Sequence, residues 1–312
     1  MSQIKQYLEK VGNYWKVKRG TPLSDACILT LHHAWGTDPA GYFPGPQPTS
    51  IERKHFDVLK KNKYMICEKT DGERHVLVAF TFESSKVCVL IDRSLSCTLV
   101  QNTLPKKAYD TTVFDGELIN NIFCIHDSVV VEGTCVRRLS LTSRLQEAST
   151  FVDKILKLKT DLFFIHVKRM YPLENCNQFN EYYKTLVGVD GVIITPINEP
   201  IKTGTHDTLF KWKPQDQNTI DFLIKKTGNK WSMYVQEKGS LVFESEMLLK
   251  DAPDWITDNC IAECQYMHQE QPRWWKPINI RTDKSHPNNR RTFYRTLNNI
   301  RENIQLKELI LV

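Results

Sequence analysis

The sequence predicts an α+β protein: an N-terminal domain of antiparallel sheets with flanking helices, followed by a small C-terminal β-barrel. Three observations predict it. Apolar runs of strand length recur from residue 64 to 132 with turn residues between them. Two segments, near 143–158 and 179–186, carry apolar residues at helical spacing. After Pro214-Gln215-Asp216-Gln217 the texture changes to short strands without intervening helix.

Taken in order, Ser2 is expected to cap a short helix with Ile4, Tyr7, Leu8 and Val11 on one face. Residues 36–50 read as loop, because Gly36, Pro39, Gly41, Pro44, Gly45, Pro46 and Pro48 interrupt any regular element. Strands are expected at 64–68, 74–82, 86–92, 97–101, 111–118, 121–126 and 129–132. Leu145, Ala148, Val152, Ile155 and Leu156 predict a helix over about 143–158, and Phe179, Tyr182, Tyr183 and Leu186 predict a second. Strands resume at 162–167, 191–195 and 208–213.

The runs at 219–225, 231–236, 240–244 and 260–266 fit a small barrel such as an OB-fold. Phe293, Leu297, Ile300 and Ile304 then fall at i, i+4, i+7 and i+11, an amphipathic helix with Asn288 or Asn289 as cap. The expected division is a first domain over 1–217 and a barrel over 218–287. The helical segment 288–312 is expected to pack back on the first domain.

Composition bounds the class. The chain has 312 residues, 41% hydrophobic and 25% charged, as in an ordinary globular protein with room for two domains. The N-terminal residues lack the apolar stretch of a signal peptide, and no run approaches a membrane span. Nine cysteines, scattered and mostly inside apolar runs, read as reduced thiols of an intracellular, reducing compartment. The net charge of +6 is concentrated: from Pro272 to Val312 there are nine Lys/Arg against three acidic residues, and the remaining chain balances. A polyanion such as RNA or a nucleoside triphosphate is one explanation, and a solvated basic helix is the other.

The most informative stretch is Lys69-Thr70-Asp71-Gly72-Glu73-Arg74, where one strand ends and the next begins. A lysine there can act as a nucleophile once its ammonium loses a proton. An arginine five residues on can hold an anion through its planar fork. Alone, the segment is equally a charged hairpin turn. Further segments add what a lysine attacking a nucleotide needs: Asp115-Gly116-Glu117, Asp190-Gly191, Lys211-Trp212-Lys213, Arg281-Thr282-Asp283-Lys284, and Arg93. Attack on an α-phosphate requires a neutral amine, so nearby cations such as Arg74, Lys211 and Lys213 are expected to lower the lysine pKa. Cations and a divalent metal absorb the charge of leaving pyrophosphate. Glu117 and Asp190 could hold a ribose hydroxyl or that metal.

This ordered set resembles the covalent nucleotidyltransferase superfamily of mRNA capping guanylyltransferases and polynucleotide ligases. Lys211-Trp212-Lys213-Pro214 followed by Asn218-Thr219-Ile220-Asp221-Phe222 is similar to the capping branch, as are residues 43–53 and the closing Arg-Thr-Asp-Lys before Pro287-Asn288. The likeness runs from about residue 42 to the end and is nearest to the compact, single-function viral members. It implies two domains about a deep cleft and an mRNA guanylyltransferase. Lys69 would take GMP from GTP, release pyrophosphate, and pass GMP to the 5′-diphosphate end of RNA. Asp71 belongs to the nucleophile motif; Arg74, Arg93 and Glu117 would hold the ribose. Lys168, ahead of Tyr171-Pro172-Leu173, and His126, where the family has an aromatic ring, would contact guanine. Asp190 would support the metal or the lysine chemistry, and Lys211 and Lys213 would meet the α-phosphate. Arg281, Asp283 and Lys284 would swing onto the β- and γ-phosphates as the barrel closes.

Mg²⁺ or Mn²⁺ is the implied cofactor. The implied protein is a monomer away from membranes, in the nucleus or cytoplasm of an infected cell. A separate RNA triphosphatase and cap methyltransferase would act in the same pathway. An ATP-dependent RNA or DNA ligase, with the same lysine chemistry, is the alternative.

Overall fold

The structure, a computed structural model, describes residues 3–39, 41–156, 161, 163–267, 274–282 and 284–310. Two compact units divide the chain. The first holds Met1–Thr49 and Val58–Phe210; the second holds Ser50–Asp57 and Lys211–Val312.

The first unit opens with strands β1 (Leu8–Val11) and β2 (Tyr14–Val17), helix α1 (Pro22–Trp35), strand β3 (Gln47–Ser50) and helix α2 (Phe56–Lys61). Strands β4 (Tyr64–Thr70), β5 (Glu73–Phe82), β6 (Ser85–Asp92), β7 (Cys97–Leu99), β8 (Thr112–Ile119), β9 (Ile122–Val131) and β10 (Thr134–Cys135) follow. Helix α3 (Leu141–Val152), strands β11 (Phe164–Val167) and β12 (Tyr171–Pro172), helix α4 (Cys176–Lys184), and strands β13 (Val189–Pro196) and β14 (Thr205–Trp212) complete it. Among the described residues there are two sheets here. One runs β1-β2-β7-β6-β5-β8-β9-β10 with β11 beside β9; the other runs β12-β4-β13-β14-β3.

The large sheet is buried on both faces, so β5 reads as a nearly unbroken apolar run instead of an alternation. Val76, Val78 and Phe80 face one core with Leu23, Cys27, Leu31 and Trp35 of α1. Leu77 and Ala79 face a second core with Phe114, Phe123, Ala148 and Phe151. Helix α1 is not among the expected elements, although its boundaries are marked in the sequence. Thr21 accepts from the Ser24 amide at 3.3 Å, Pro22 stands in the first turn, and Gly36 closes the helix at φ 66°. Leu31 is fully buried, and truncating it to alanine would cost about 2–5 kcal/mol.

Other expectations are corrected. Ile4 to Val11 do not form a helix. A short 3₁₀ turn over Lys5–Tyr7 leads into β1, which pairs antiparallel with β2 across Gly12-Asn13. Ser2 lies outside the described residues. The runs at 121–126 and 129–132 are one strand, β9, whose ladder to β8 shifts register twice. Helix α3 ends at Val152, short of the expected 158.

The second unit contains strands β15 (Thr219–Thr227), β16 (Lys230–Glu237), β17 (Ser240–Leu248), β18 (Ile261–Met267) and β19 (Trp274–Ile280), then helices α5 (Arg290–Glu302) and α6 (Leu306–Ile310). The strands form an antiparallel sheet in the order β17-β16-β15-β18-β19, rolled until edge strands β17 and β19 approach within 8 Å. Asn289 caps α5 by accepting from the Arg291 amide at 2.9 Å. The apolar face of α5 does not turn to the first unit as expected. Phe293 and Ile300 sit in the core of the rolled sheet, with Phe293 against Phe222 and Trp275 at 5.8 Å each. Ser50–Asp57 joins this unit because α5 and α6 hold it. Asn299 donates to the Ile51 carbonyl at 2.6 Å, and Arg53 donates to Glu308 at 2.9 Å. The boundary at Phe210/Lys211 accordingly differs from the expected 217/218.

Candidate active site

The functional side chains of the first unit gather where β4 ends, β5 begins and β8 runs alongside. Gly72 makes the turn possible. A Cβ there would stand 2.4 Å from Ile119 Cγ1 and 2.8 Å from both Glu117 Cγ and the Leu118 carbonyl oxygen. The segment is not the hairpin turn it could have been, because β4 and β5 belong to different sheets; Gly72 is required by the close approach of β8. Ladder register then sets Arg74 of β5 directly opposite Glu117 of β8.

Three polar groups result. In the first, the Lys69 ammonium donates to Asp190 Oδ2. Asp190 reaches it because β13 pairs regularly with β4 except between Val189 and Val192, where the ladder shifts. The bulge re-aims the carboxylate toward the end of β4.

In the second, Thr70 Oγ1 donates to Glu117 Oε2 and accepts from Lys168 Nζ at 3.0 Å. Lys168 Nζ also lies 3.6 Å from Glu68 Oε1 and 3.8 Å from Glu117 Oε2. Lys168 is only 7% exposed and Glu68 only 8%. Burial works against the lysine's charge, but its anionic neighbours outweigh burial and hold its pKa above the ordinary value. Glu68 Oε2 is buried without a hydrogen-bond partner. Burial pushes the adjacent Cys67 thiol up to about 12, so it stays neutral.

In the third, Arg74 grips Asp115 with both arms, Nε to Oδ1 at 3.0 Å and Nη2 to Oδ2 at 2.5 Å, while Nη1 donates to the Pro46 carbonyl at 2.5 Å. Its guanidinium also lies over the Phe43 ring, 5.1 Å from the centroid. Asp115 is 1% exposed; burial would raise its pKa, but Arg74 overrides burial and holds it below the usual carboxylate range. His126 Nε2 lies 3.6 Å from Asp115 Oδ1. Burial depresses its imidazole below the usual value against the pull of Asp115, so the ring is neutral at neutral pH.

The sequence-predicted residues are therefore brought together in part. Lys69 meets Asp190; Glu117 meets Lys168 through Thr70; Arg74 and His126 meet on Asp115. Arg74, expected to lower the Lys69 amine, is turned on Asp115. Asp71 is exposed at the turn; Arg93, just beyond β6, is largely exposed but lies near enough to Arg74, Asp115 and Glu117 for their charges to bear on it, partial burial and Arg74 lowering its pKa. Phe123, three residues before His126 on β9, is fully buried in a core and is not available to a base.

Lys211, Lys213, Arg281 and Lys284 lie in the second unit, where they line a cleft of about 270 Å³. Arg281 Nη1 donates to Asp221 at 3.0 Å, and Lys284 Nζ donates to the same carboxylate. Asp283 lies outside the described residues.

Sequence reasoning missed Glu68, Thr70, Asp115 and Asp221 as functional groups. Thr70, Asp115 and Asp221 stand inside the motifs given above, and Glu68 directly precedes one. For Glu68, Asp115 and Asp221 the available signal is a charged residue within an apolar strand, which must be paired when buried; Thr70 carries no such signal.

Two family models match the chain: mRNA capping enzyme, catalytic domain, over residues 8–215, and mRNA capping enzyme, C-terminal domain, over residues 208–310. The chain belongs to the mRNA capping enzyme family. Among curated members, the mRNA-capping enzyme subunit alpha of Schizosaccharomyces pombe is 27% identical, covering 93% of this chain and 84% of that protein. The mRNA-capping enzyme of Caenorhabditis elegans is 28% identical over 80% of this chain, which spans 45% of that longer protein. Among solved structures, mycobacterial DNA ligase D complexed with ATP and MES matches with a TM-score of 0.45 at 14% identity, covering 77% of this chain and 95% of that one. The capping-enzyme match takes in all three polar groups of the first unit and, in the C-terminal segment, Arg281 and Lys284.

Proposed function

We propose that this chain is the guanylyltransferase of mRNA capping, with Lys69 as nucleophile. The observation that carries the reading is the Lys69–Asp190 contact beside the Thr70, Glu117 and Lys168 group. In the first step the Lys69 ammonium gives a proton to Asp190. Nζ then forms a bond to the α-phosphorus of GTP, and the α–β phosphoanhydride bond breaks with its electrons leaving on pyrophosphate. In the second step a terminal oxygen of 5′-diphosphate RNA attacks the same phosphorus. The P–N bond breaks, the lysine recovers its proton, and GMP becomes the cap.

Arg74, Arg93 and Glu117 serve the ribose, and Lys168 and His126 serve guanine. Lys211 and Lys213 serve the α-phosphate, with Arg281, Lys284 and Asp283 serving the β- and γ-phosphates. The rolled sheet that bears the latter set is read as an OB-type lid. The donor set fits a divalent ion held mainly by substrate. Among the described residues no group of three or more His, Cys, Asp or Glu converges, and Mg²⁺ is commonly held by one or two carboxylates plus phosphates. Asp190 would hold Mg²⁺ or Mn²⁺, which when bound offsets charge on the leaving pyrophosphate.

The substrate's 5′-diphosphate end implies an RNA triphosphatase acting before and a cap methyltransferase after, proposed here as separate chains serving a monomer. The resemblance to compact viral members is the ground for a viral source; the curated relatives named above are fungal and animal. Incubation with α-labelled GTP or ATP in Mg²⁺ tests the reading. GTP label should stay on the protein and vanish in Lys69→Ala. Label from ATP alone would instead support a ligase.

A further inference from the structure

Residues 42–47 form a strap drawn over Arg74, and both its ends are fixed. The Tyr42 ring packs edge-on against the buried His32 of α1, with centroids 5.5 Å apart. The Gln47 amide donates to the Gly204 carbonyl at 2.7 Å. Between these points Phe43 packs against the core that α1 fills, and Pro44, Gly45 and Pro46 are buried.

The strap meets Arg74 twice. The Phe43 ring lies against the guanidinium, its centroid 5.1 Å from Cζ, and the Pro46 carbonyl accepts from Nη1 at 2.5 Å. Only glycine fits between these contacts. A Cβ at Gly45 would stand 2.6 Å from Phe43 Cε1 and 2.7 Å from Arg74 Nη2. Asp115 holds the guanidinium from another side through Nε and Nη2, while Glu117, across the ladder, is taken up by Thr70. These bonds use Nε and one hydrogen on each terminal nitrogen, and leave a second N–H on each of Nη1 and Nη2. The Arg74 side chain stays 11% exposed, so it is not sealed from a ligand.

A guanidinium on a free stem loses rotamer freedom when it takes a ligand, whereas one fixed beforehand has little left to lose. We infer that Phe43 and Gly45 are positioning residues for sugar recognition: by fixing Arg74 they leave its two remaining N–H donors set for a ribose hydroxyl oxygen. They touch no substrate and act through Arg74. This role rests on the guanylyltransferase reading, in which Arg74 serves the ribose, and it adds what makes that arginine selective for the sugar.

Calorimetric titration of the full chain with GTP, 2′-deoxy-GTP and 3′-deoxy-GTP tests the role, with labelling by GTP followed in parallel. Wild-type protein should bind GTP more tightly than at least one deoxy analogue. Phe43→Ala should weaken GTP binding about tenfold, the scale of a desolvated cation–π contact, and narrow that preference. In labelling it should raise KM with kcat little changed. Phe43→Leu, which keeps an apolar side chain and removes the ring, should behave like Phe43→Ala, and Phe43→Tyr should restore wild-type binding. Gly45→Ala should reproduce Phe43→Ala by forcing ring and guanidinium apart. In an Arg74→Lys background Phe43→Ala should add little, because the group it positions is gone. Equal binding of all three nucleotides by wild-type protein would overturn the inference. So would a folded Phe43→Leu or Gly45→Ala that binds GTP like wild type, or one that weakens all three nucleotides alike, as a merely structural role would. Failure of wild-type protein to label with GTP would instead reject the guanylyltransferase reading, whatever the nucleotide preference.

Discussion

The Lys69 ammonium is bonded to the Asp190 carboxylate across a bulged stretch of the β4–β13 ladder. The nucleophile of the proposed reaction thus has an acceptor for its proton within hydrogen-bond reach. Asp190→Asn keeps the shape and removes the base. We expect adduct formation to slow by at least about 100-fold, the usual worth of a positioned base, with GTP binding changed far less. Rapid-quench measurement of label on the protein checks this; a rate within a few-fold of wild type would exclude Asp190 as the proton acceptor.

Asp115 is enclosed and bound by both arms of Arg74. Removing its charge strands the guanidinium, so Asp115→Asn should cost about 3–5 kcal/mol. Thermal unfolding should shift down by about 6–15 °C. The pH dependence follows from the sign of the shift. A carboxylate held below its unfolded value near ~3.9 contributes stability above that pH and loses it as pH falls through the folded value. Wild-type stability should therefore fall more steeply below about pH 4 than that of Asp115→Asn.

His126 is kept neutral by burial despite the nearby Asp115. Its folded pKa lies below the unfolded value near ~6.5, so its contribution is present above that pH and declines as pH falls below it. A neutral ring can stack on a base, at a worth of about 1–3 kcal/mol. His126→Ala should raise the Kd for GTP about tenfold, and His126→Phe should restore it. Calorimetric titration with GTP decides, and wild-type affinity in His126→Ala would rule out stacking.

Lys168 and Glu68 are buried as a pair. Lys168→Met leaves Glu68 charged and uncompensated, so it should destabilise the first unit by about 3–5 kcal/mol. Lys168→Met with Glu68→Gln should recover part of that loss, because two neutral groups replace one stranded charge. Chemical denaturation of the two single variants and the double variant measures the coupling. Strict additivity would show that the pair does not act as one.

Much of this architecture was legible because strand and helix periods are local. The apolar runs of β4, β5, β6, β8 and β9 lie within a few residues of where they were expected, and the α5 cap is one of the two asparagines named. The failures have physical causes. Ile4, Tyr7, Leu8 and Val11 fit a helical stripe by spacing alone, yet the Gly12-Asn13 turn lets β1 fold onto β2. Helix α1 shows little amphipathic contrast because Leu29, more than half exposed, puts an apolar side chain on its solvent face. Strand β19 contains Pro277, which is tolerated because β19 is an edge strand with a register shift at that point.

At the site, spacing revealed the charged residues but not their partners. Nothing in the sequence shows that Arg74 closes on Asp115, that Arg281 and Lys284 share Asp221, or that the apolar face of α5 is filled by Phe222 and Trp275. Those pairings join residues far apart in the chain and depend on ladder register.

The proposed reaction puts the nucleotide on Lys69. Protein incubated with GTP and Mg²⁺, digested at neutral or alkaline pH and mapped by mass spectrometry tests it most directly. One GMP is expected on the peptide containing Lys69, labile to acid as a phosphoramide should be, and absent from Lys69→Ala. A GMP adduct on another residue, or one that persists in Lys69→Ala, would contradict it.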